Sequence, residues 1–227
     1  MRNSFRSITL ALLLATTCTA FGAGSGDMAT PSDANIKGKS PELRAHQAFS
    51  AGVRGIEKAD KLLAEENSVA DEKKKQKAHA KTGQAYAAAA RKFEQVIEFD
   101  STNYDAWNYL AYAHRRMGDF EGALTAYGRV LTLKPGYPEA IEYRGHAFLG
   151  LDRLSEAKQA YLTLFPANRK LAASLLVGMQ EWVAEHRRNP VGVDNAMVET
   201  FASWVNERSA IASQTASLTR EGASARW

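Results

Sequence analysis

Cysteine is almost missing from this sequence: its 227 residues hold one, Cys18. A lone thiol excludes an internal disulfide framework. Proline is scarce, at 6 residues. Val, Ile and Thr never alternate with polar residues over a long run, so nothing reads as a half-buried strand. No apolar run reaches the roughly 20 residues that a membrane-spanning helix needs. Catalytic signatures are missing too. None of His46, His79, His114, His146 and His186 stands in a His-Glu-x-x-His pattern. No Gly-x-Ser-x-Gly elbow, phosphate loop or dinucleotide fingerprint occurs. The expectation is a protein that is not an enzyme and needs no cofactor and no metal. Glu142 and His146 lie one helical turn apart, but two ligands are too few for a closed metal site, so they read as a solvated pair.

What is present begins with a segment unlike the rest. Arg2 and Arg6 precede the apolar run Ile8 to Ala15, and small residues follow at Cys18, Thr19 and Ala20. A basic end, an apolar centre and a small-residue cleavage site form the layout of a secretory signal peptide, here residues 1–20. The expected location is periplasmic or secreted. The alternative is a lipoprotein anchored through Cys18, although Ala15-Thr16-Thr17-Cys18 departs from the usual lipidation pattern. Loss of Arg2 and Arg6 lowers the formal charge from +4 to +2, which weakens any argument for an anionic partner. Residues 21–41 are rich in Gly, Ser, Asp, Thr and Pro and read as a disordered linker.

From Pro41 the pattern is helical. Leu43, Phe49, Val53, Ile56 and Leu63 recur at helical spacing, predicting a helix from Pro41 to about Glu66. A second is predicted from about Ser68 to Phe99. Its first half carries Lys73, Lys74, Lys75, Lys77 and Lys81. That basic cluster reads as a solvated face, with an anionic polymer or membrane as the functional alternative. Nucleic acid is not expected.

A period of 34 residues then emerges. It links Tyr86, Phe120 and Leu154; Ala89, Ala123 and Ala157; Phe93, Tyr127 and Tyr161; Val96, Val130 and Leu164; and Ile97, Leu131 and Phe165. Trp107 and Ile141, and Ala111 and Gly145, extend the match for two copies. The segment 104–137 reads Trp107, Leu110, Ala111, His114, Ala123, Tyr127 and Pro135. This resembles the tetratricopeptide repeat (TPR) family, whose pattern is Trp, Leu, a small residue, Tyr, Ala, Phe and Pro at these spacings.

The resemblance implies an all-α fold: a short right-handed superhelix, or α-solenoid, of antiparallel helix pairs with helical caps. The repeat region is 42–166, with clear repeats at 104–137 and 138–166 and a degenerate one at 42–103. Small residues at Ala89, Ala111, Ala123, Gly145 and Ala157 would let helices approach closely, with the rings of Trp107, Phe93, Tyr127 and Tyr161 buried beside them. Capping helices are expected over 167–212. One would carry Leu171, Leu175, Met179 and Trp182 on one face, the other Met197, Val198, Phe201, Val205 and Ile211. Residues 213–227 are expected to be a disordered tail.

The resemblance also implies a protein or peptide partner, held in a concave groove lined by the first helix of each repeat. Carried onto this chain, the lining is Asp105, Asn108, Tyr112 and Arg115, then Glu139, Glu142, His146 and Leu149. The partner-binding candidates are Asn108, Tyr112, Arg115, Glu142 and His146. Glu139 and Glu142 would repel a C-terminal carboxylate. Self-association of a structural protein through exposed repeat ends is the alternative.

Overall fold

The computed structural model describes residues 40–190 and 192–224, with side chains through residue 215. The signal-peptide, linker and Cys18 readings at residues 1–39 therefore fall outside the described residues. The described chain is eight helices in series: α1 (Pro41–Glu66), α2 (Glu72–Phe99), α3 (Tyr104–Arg116), α4 (Phe120–Leu133), α5 (Pro138–Leu149), α6 (Leu154–Ala167), α7 (Arg169–Arg188) and α8 (Asn195–Ser224).

Local chemistry explains most of the boundaries. Ser40, Asp71, Asn103, Asp119 and Asn168 each accept a hydrogen bond from the backbone N–H three residues on. Such caps satisfy donors that the first helical turn leaves orphaned. Pro41 and Pro138 occupy first-turn positions where a missing N–H costs nothing. Pro41 is thus the first residue of α1 rather than the last of the linker. The cap at Asp71 also starts α2 a few residues later than the pattern suggested. Gly118 closes the α3–α4 turn at φ +80°. Its counterpart 34 residues on is Asp152, the one non-glycine residue at positive φ among those described.

Every helix packs on its neighbour in sequence, and α1 meets α3, α3 meets α5, and α5 meets α7. This is a TPR-like solenoid of helix pairs. The 34-residue register is visible in the burial. Tyr86, Phe93, Tyr127 and Tyr161 are fully enclosed, as are Ala111, Ala123 and Ala157. Gly145 is the tightest of the small positions: a β-carbon there would lie 2.6 Å from Leu175 Cδ2 and 3.3 Å from Ala160 Cβ. A glycine is therefore needed where α5, α6 and α7 converge.

Four expectations need correction. Trp107 is only partly buried. Its ring bridges two core clusters while its indole N–H donates to the Ser101 carbonyl at 2.9 Å, and the guanidinium of Arg129 covers its outer face. Met197 is 40% exposed and lies off the packing face that Val198, Phe201 and Val205 form. Residues 213–224 continue α8 instead of forming a disordered tail. Hydroxyls that would compete with helical hydrogen bonding fold back instead, Ser209, Ser213 and Thr215 each donating to the carbonyl four residues earlier. Finally, Glu142 and His146 are not a solvated pair, as described next.

Candidate partner-binding face

The odd-numbered helices α1, α3, α5 and α7 stand side by side, and the five sequence-derived candidates lie on α3 and α5. Asn108, Arg115 and His146 are half-buried. Tyr112 and Glu142 are not available as free surface: each is only 4% exposed. Leu149, also expected in the lining, is buried as well. The reason is a polar seam that runs beneath the face.

The seam starts on α1. Asp60 Oδ1 accepts hydrogen bonds from the hydroxyls of Tyr86 (2.5 Å) and Tyr112 (2.9 Å). Arg116 Nε donates to the Tyr86 hydroxyl at 3.2 Å, and its guanidinium covers the rings of both tyrosines. One carboxylate thereby ties α1, α2 and α3 together. Burial, with the hydrogen bond to Asp60, pushes the Tyr86 phenol up to about 12. Burial drives Tyr112 still higher. Both phenols stay protonated and act as donors.

The seam continues through Arg115. Its guanidinium lies 5.3 Å from the Tyr112 ring centroid and 5.2 Å from that of Tyr143 on α5. It also lies close enough to the Tyr127 hydroxyl to oppose the upward shift that burial gives that phenol. Yet neither Arg115 Nε nor the Tyr127 hydroxyl completes a hydrogen bond of ordinary geometry. No carboxylate is paired with Arg115 among the described residues. Asn108 Oδ1 is likewise buried without a partner.

On α5, Glu142 Oε1 lies 3.7 Å from His146 Nε2. The His146 ring presses on Gly178 of α7, where there is no room for a side chain. This pair thus faces the next helix. Among the described residues no group of three or more His, Cys, Asp or Glu could hold a metal.

The structure therefore brings Tyr112 to Arg115, and Glu142 to His146, while Asn108 stands apart with an unused acceptor. Asp60, Tyr86, Arg116, Tyr127 and Tyr143 complete the seam, and sequence reasoning missed their role. The repeat register could have placed Tyr127 and Tyr143 near one another. Nothing in the sequence marks Asp60, whose partners lie 26 and 52 residues away.

Comparison with known proteins bears on what this face belongs to. Residues 104–137, the span of α3, α4 and the turn after them, match the tetratricopeptide repeat model. The chain carries a tetratricopeptide repeat. No curated protein sequence matches it. Among solved structures, a similar one is the NMR structure of the second TPR domain of the human RPAP3 protein in complex with the HSP70 peptide SGPTIEEVD. It shares 21% identity over 61% of this chain and 96% of that one, with a TM-score of 0.45. The TPR of this chain is the segment in which Asn108, Tyr112 and Arg115 are set, and such repeats make protein-interaction modules.

Proposed function

We propose that this TPR protein is a non-enzymatic scaffold that holds a peptide or helix of a partner protein across the face formed by α1, α3, α5 and α7. The observation that carries the reading is Arg115. It is a guanidinium set between two tyrosine rings, with no carboxylate paired to it among the described residues. A half-buried guanidinium with no carboxylate of its own favours an acidic side chain brought by a partner, which it can hold through its planar fork. Asn108, nearly two turns away on the same helix, is half-buried and carries an amide that can pair with a peptide backbone. The site of action that fits the signal-peptide reading of residues 1–20 is the cell envelope.

A photo-crosslinking amino acid at Asn108, compared with one at the exposed Thr125 of α4, tests this. Adducts with a discrete protein should form from position 108 and disappear when Arg115→Gln is added. Loss of an Arg anchor commonly costs about 2 kcal/mol or more, or about thirtyfold in affinity. Adducts from position 125 alone would overturn the reading. Amino-terminal sequencing tests export: a mature chain beginning near Phe21 is expected, and one beginning at Met1 would refute it.

A further inference from the structure

The cations of this chain fall into two groups. In the repeats and caps, most are used by the fold. Arg153, Arg187, Arg188 and Arg208 are in ion pairs. Arg115, Arg116, Arg129, Lys134, Arg144, Lys158 and Arg169 lie over aromatic rings. On α2 the pattern differs. Lys73, Lys74, Lys75, Lys77, Lys81, Arg91 and Lys92 include no member of an ion pair or ring contact among the described residues. Only Lys92 has a neutral partner, Gln95. Between Glu72 and Glu94 the sequence has no carboxylate.

Helical geometry puts most of these charges in one line. Lys73, Lys77, Lys81, Gln84, Ala88, Arg91 and Gln95 follow one another at spacings of three and four, so they share a face. Lys74 and Lys92 flank it. All of that row is exposed, because the opposite face, with Tyr86, Ala89, Phe93 and Val96, is the one buried against α1 and α3. From Lys73 to Arg91 the row spans about 27 Å at 1.5 Å per residue. Two turns beyond Arg91, on the flank of the same face, stands Phe99 at the end of α2. It is 48% exposed, the most exposed of the large apolar side chains described.

We propose that this outer face of α2 docks on an anionic phospholipid bilayer. It is a surface separate from the Arg115 face. Four to eight lysines or arginines along a helix match the charge density of acidic headgroups, at about 1 kcal/mol for each cation near the surface. Lysine suits this role as a compact point charge that needs no fixed partner geometry. Phe99 supplies an apolar group for the headgroup boundary, the combination that interfacial helices use. Single-stranded nucleic acid would call for several stacking rings along the row, and this face has one, at its end.

The test is co-sedimentation of the purified chain with vesicles of phosphatidylcholine alone or with about one-third phosphatidylglycerol. Binding is expected only to the anionic vesicles, falling steeply between low and high salt. Lys73→Gln/Lys77→Gln/Lys81→Gln should weaken it about a hundredfold, at about fivefold per charge. Arg153→Gln/Arg187→Gln/Arg188→Gln, which removes the same charge from paired sites, should change it less than threefold. Phe99→Ala should weaken binding about tenfold without loss of helicity. The proposal is overturned by equal binding to neutral vesicles, by equal effects of the two triple variants, by no binding to anionic vesicles at low salt, or by tighter binding to duplex DNA than to the vesicles.

Discussion

Replacing Gly145 by alanine sets two opposed effects against each other, and the structure decides which wins. Gly145 lies inside α5, and an interior glycine costs about 1 kcal/mol relative to alanine through backbone entropy. With open space around it, the substitution would stabilise. The space is not open: the new methyl would lie 2.6 Å and 2.9 Å from the two methyl carbons of Leu175, and 3.3 Å from Ala160 Cβ. Leu175 is fully enclosed on α7, so it cannot swing into solvent. Overpacking of this kind costs about 1–3 kcal/mol. The net expectation is a loss of about 1 kcal/mol, or about 2–4 °C in Tm for a domain of this size.

Gly128 is the internal control. It lies inside α4 with nothing within 4 Å of where a β-carbon would stand. Gly128→Ala should therefore raise Tm by about 2–4 °C, the opposite sign for the same chemical change. A double-mutant cycle localises the cause. Leu175→Ala alone should cost about 2–5 kcal/mol. Combined with Gly145→Ala it should cost less than the sum, by about 1–2 kcal/mol, because the added methyl enters the vacated space. Both quantities come from urea unfolding followed by far-UV circular dichroism. A rise in Tm for Gly145→Ala, or strict additivity with Leu175→Ala, would refute the proposed convergence of α5, α6 and α7.

Two further outcomes follow from the polar seam. Asp60→Ala orphans the hydroxyls of Tyr86 and Tyr112 together and should cost about 2–4 kcal/mol in urea unfolding, while Asp60→Asn, which keeps an acceptor, should cost about half as much or less; equal effects of the two would remove Asp60 from the seam. Alkaline titration reads the same region. Burial raises the phenols of Tyr86 and Tyr143 to about 12 and raises those of Tyr112 and Tyr127 as well, whereas an unfolded tyrosine ionises near 10. The folded state then holds these protons more tightly, so its stability is intact below about pH 10 and is lost as pH rises from there through about 12. Tyrosinate absorbance at 295 nm should accordingly rise together with loss of helicity; full ionisation near pH 10 with helicity intact would contradict the burial.

What the sequence made legible was whatever repeats. The 34-residue register rests on side-chain size at helix contacts, and packing enforces size strictly. Hence Ala123, Ala157, Tyr127 and Tyr161 are enclosed as their spacing implied. Caps are equally local, since Asp119 and Gly118 answer to their own turn. The second copy loses these signals: Tyr137 and Arg153 stand where Asn103 and Asp119 cap the first, and neither makes a side-chain cap. Its turn is held instead from a distance, the Trp182 indole N–H donating to Asp152 at 2.9 Å with His186 beside it. No local pattern announces such a bond.

The candidate site was legible only as a direction. A repeat register says which side chains are expected to leave a helix toward the shared face, and it named Asn108, Tyr112, Arg115, Glu142 and His146. It does not say how far a neighbouring helix reaches over them. Here α1 brings Asp60 onto Tyr112 of α3, and α7 brings Gly178 onto His146 of α5, so each of these helices is covered in part by a neighbour in the stack. The consequence is a division of labour between adjacent residues of one helix. Tyr112 spends its hydroxyl on holding α1, and Arg116 spends its guanidinium on the same bond network. Arg115, on the same helix, is the cation that the seam flanks with rings but leaves without a carboxylate among the described residues. Removing Tyr112 would thus damage the fold along with the proposed binding. Arg115→Gln is the variant that separates them, because it takes away a charge that the described residues do not neutralise while leaving the Asp60 bonds in place.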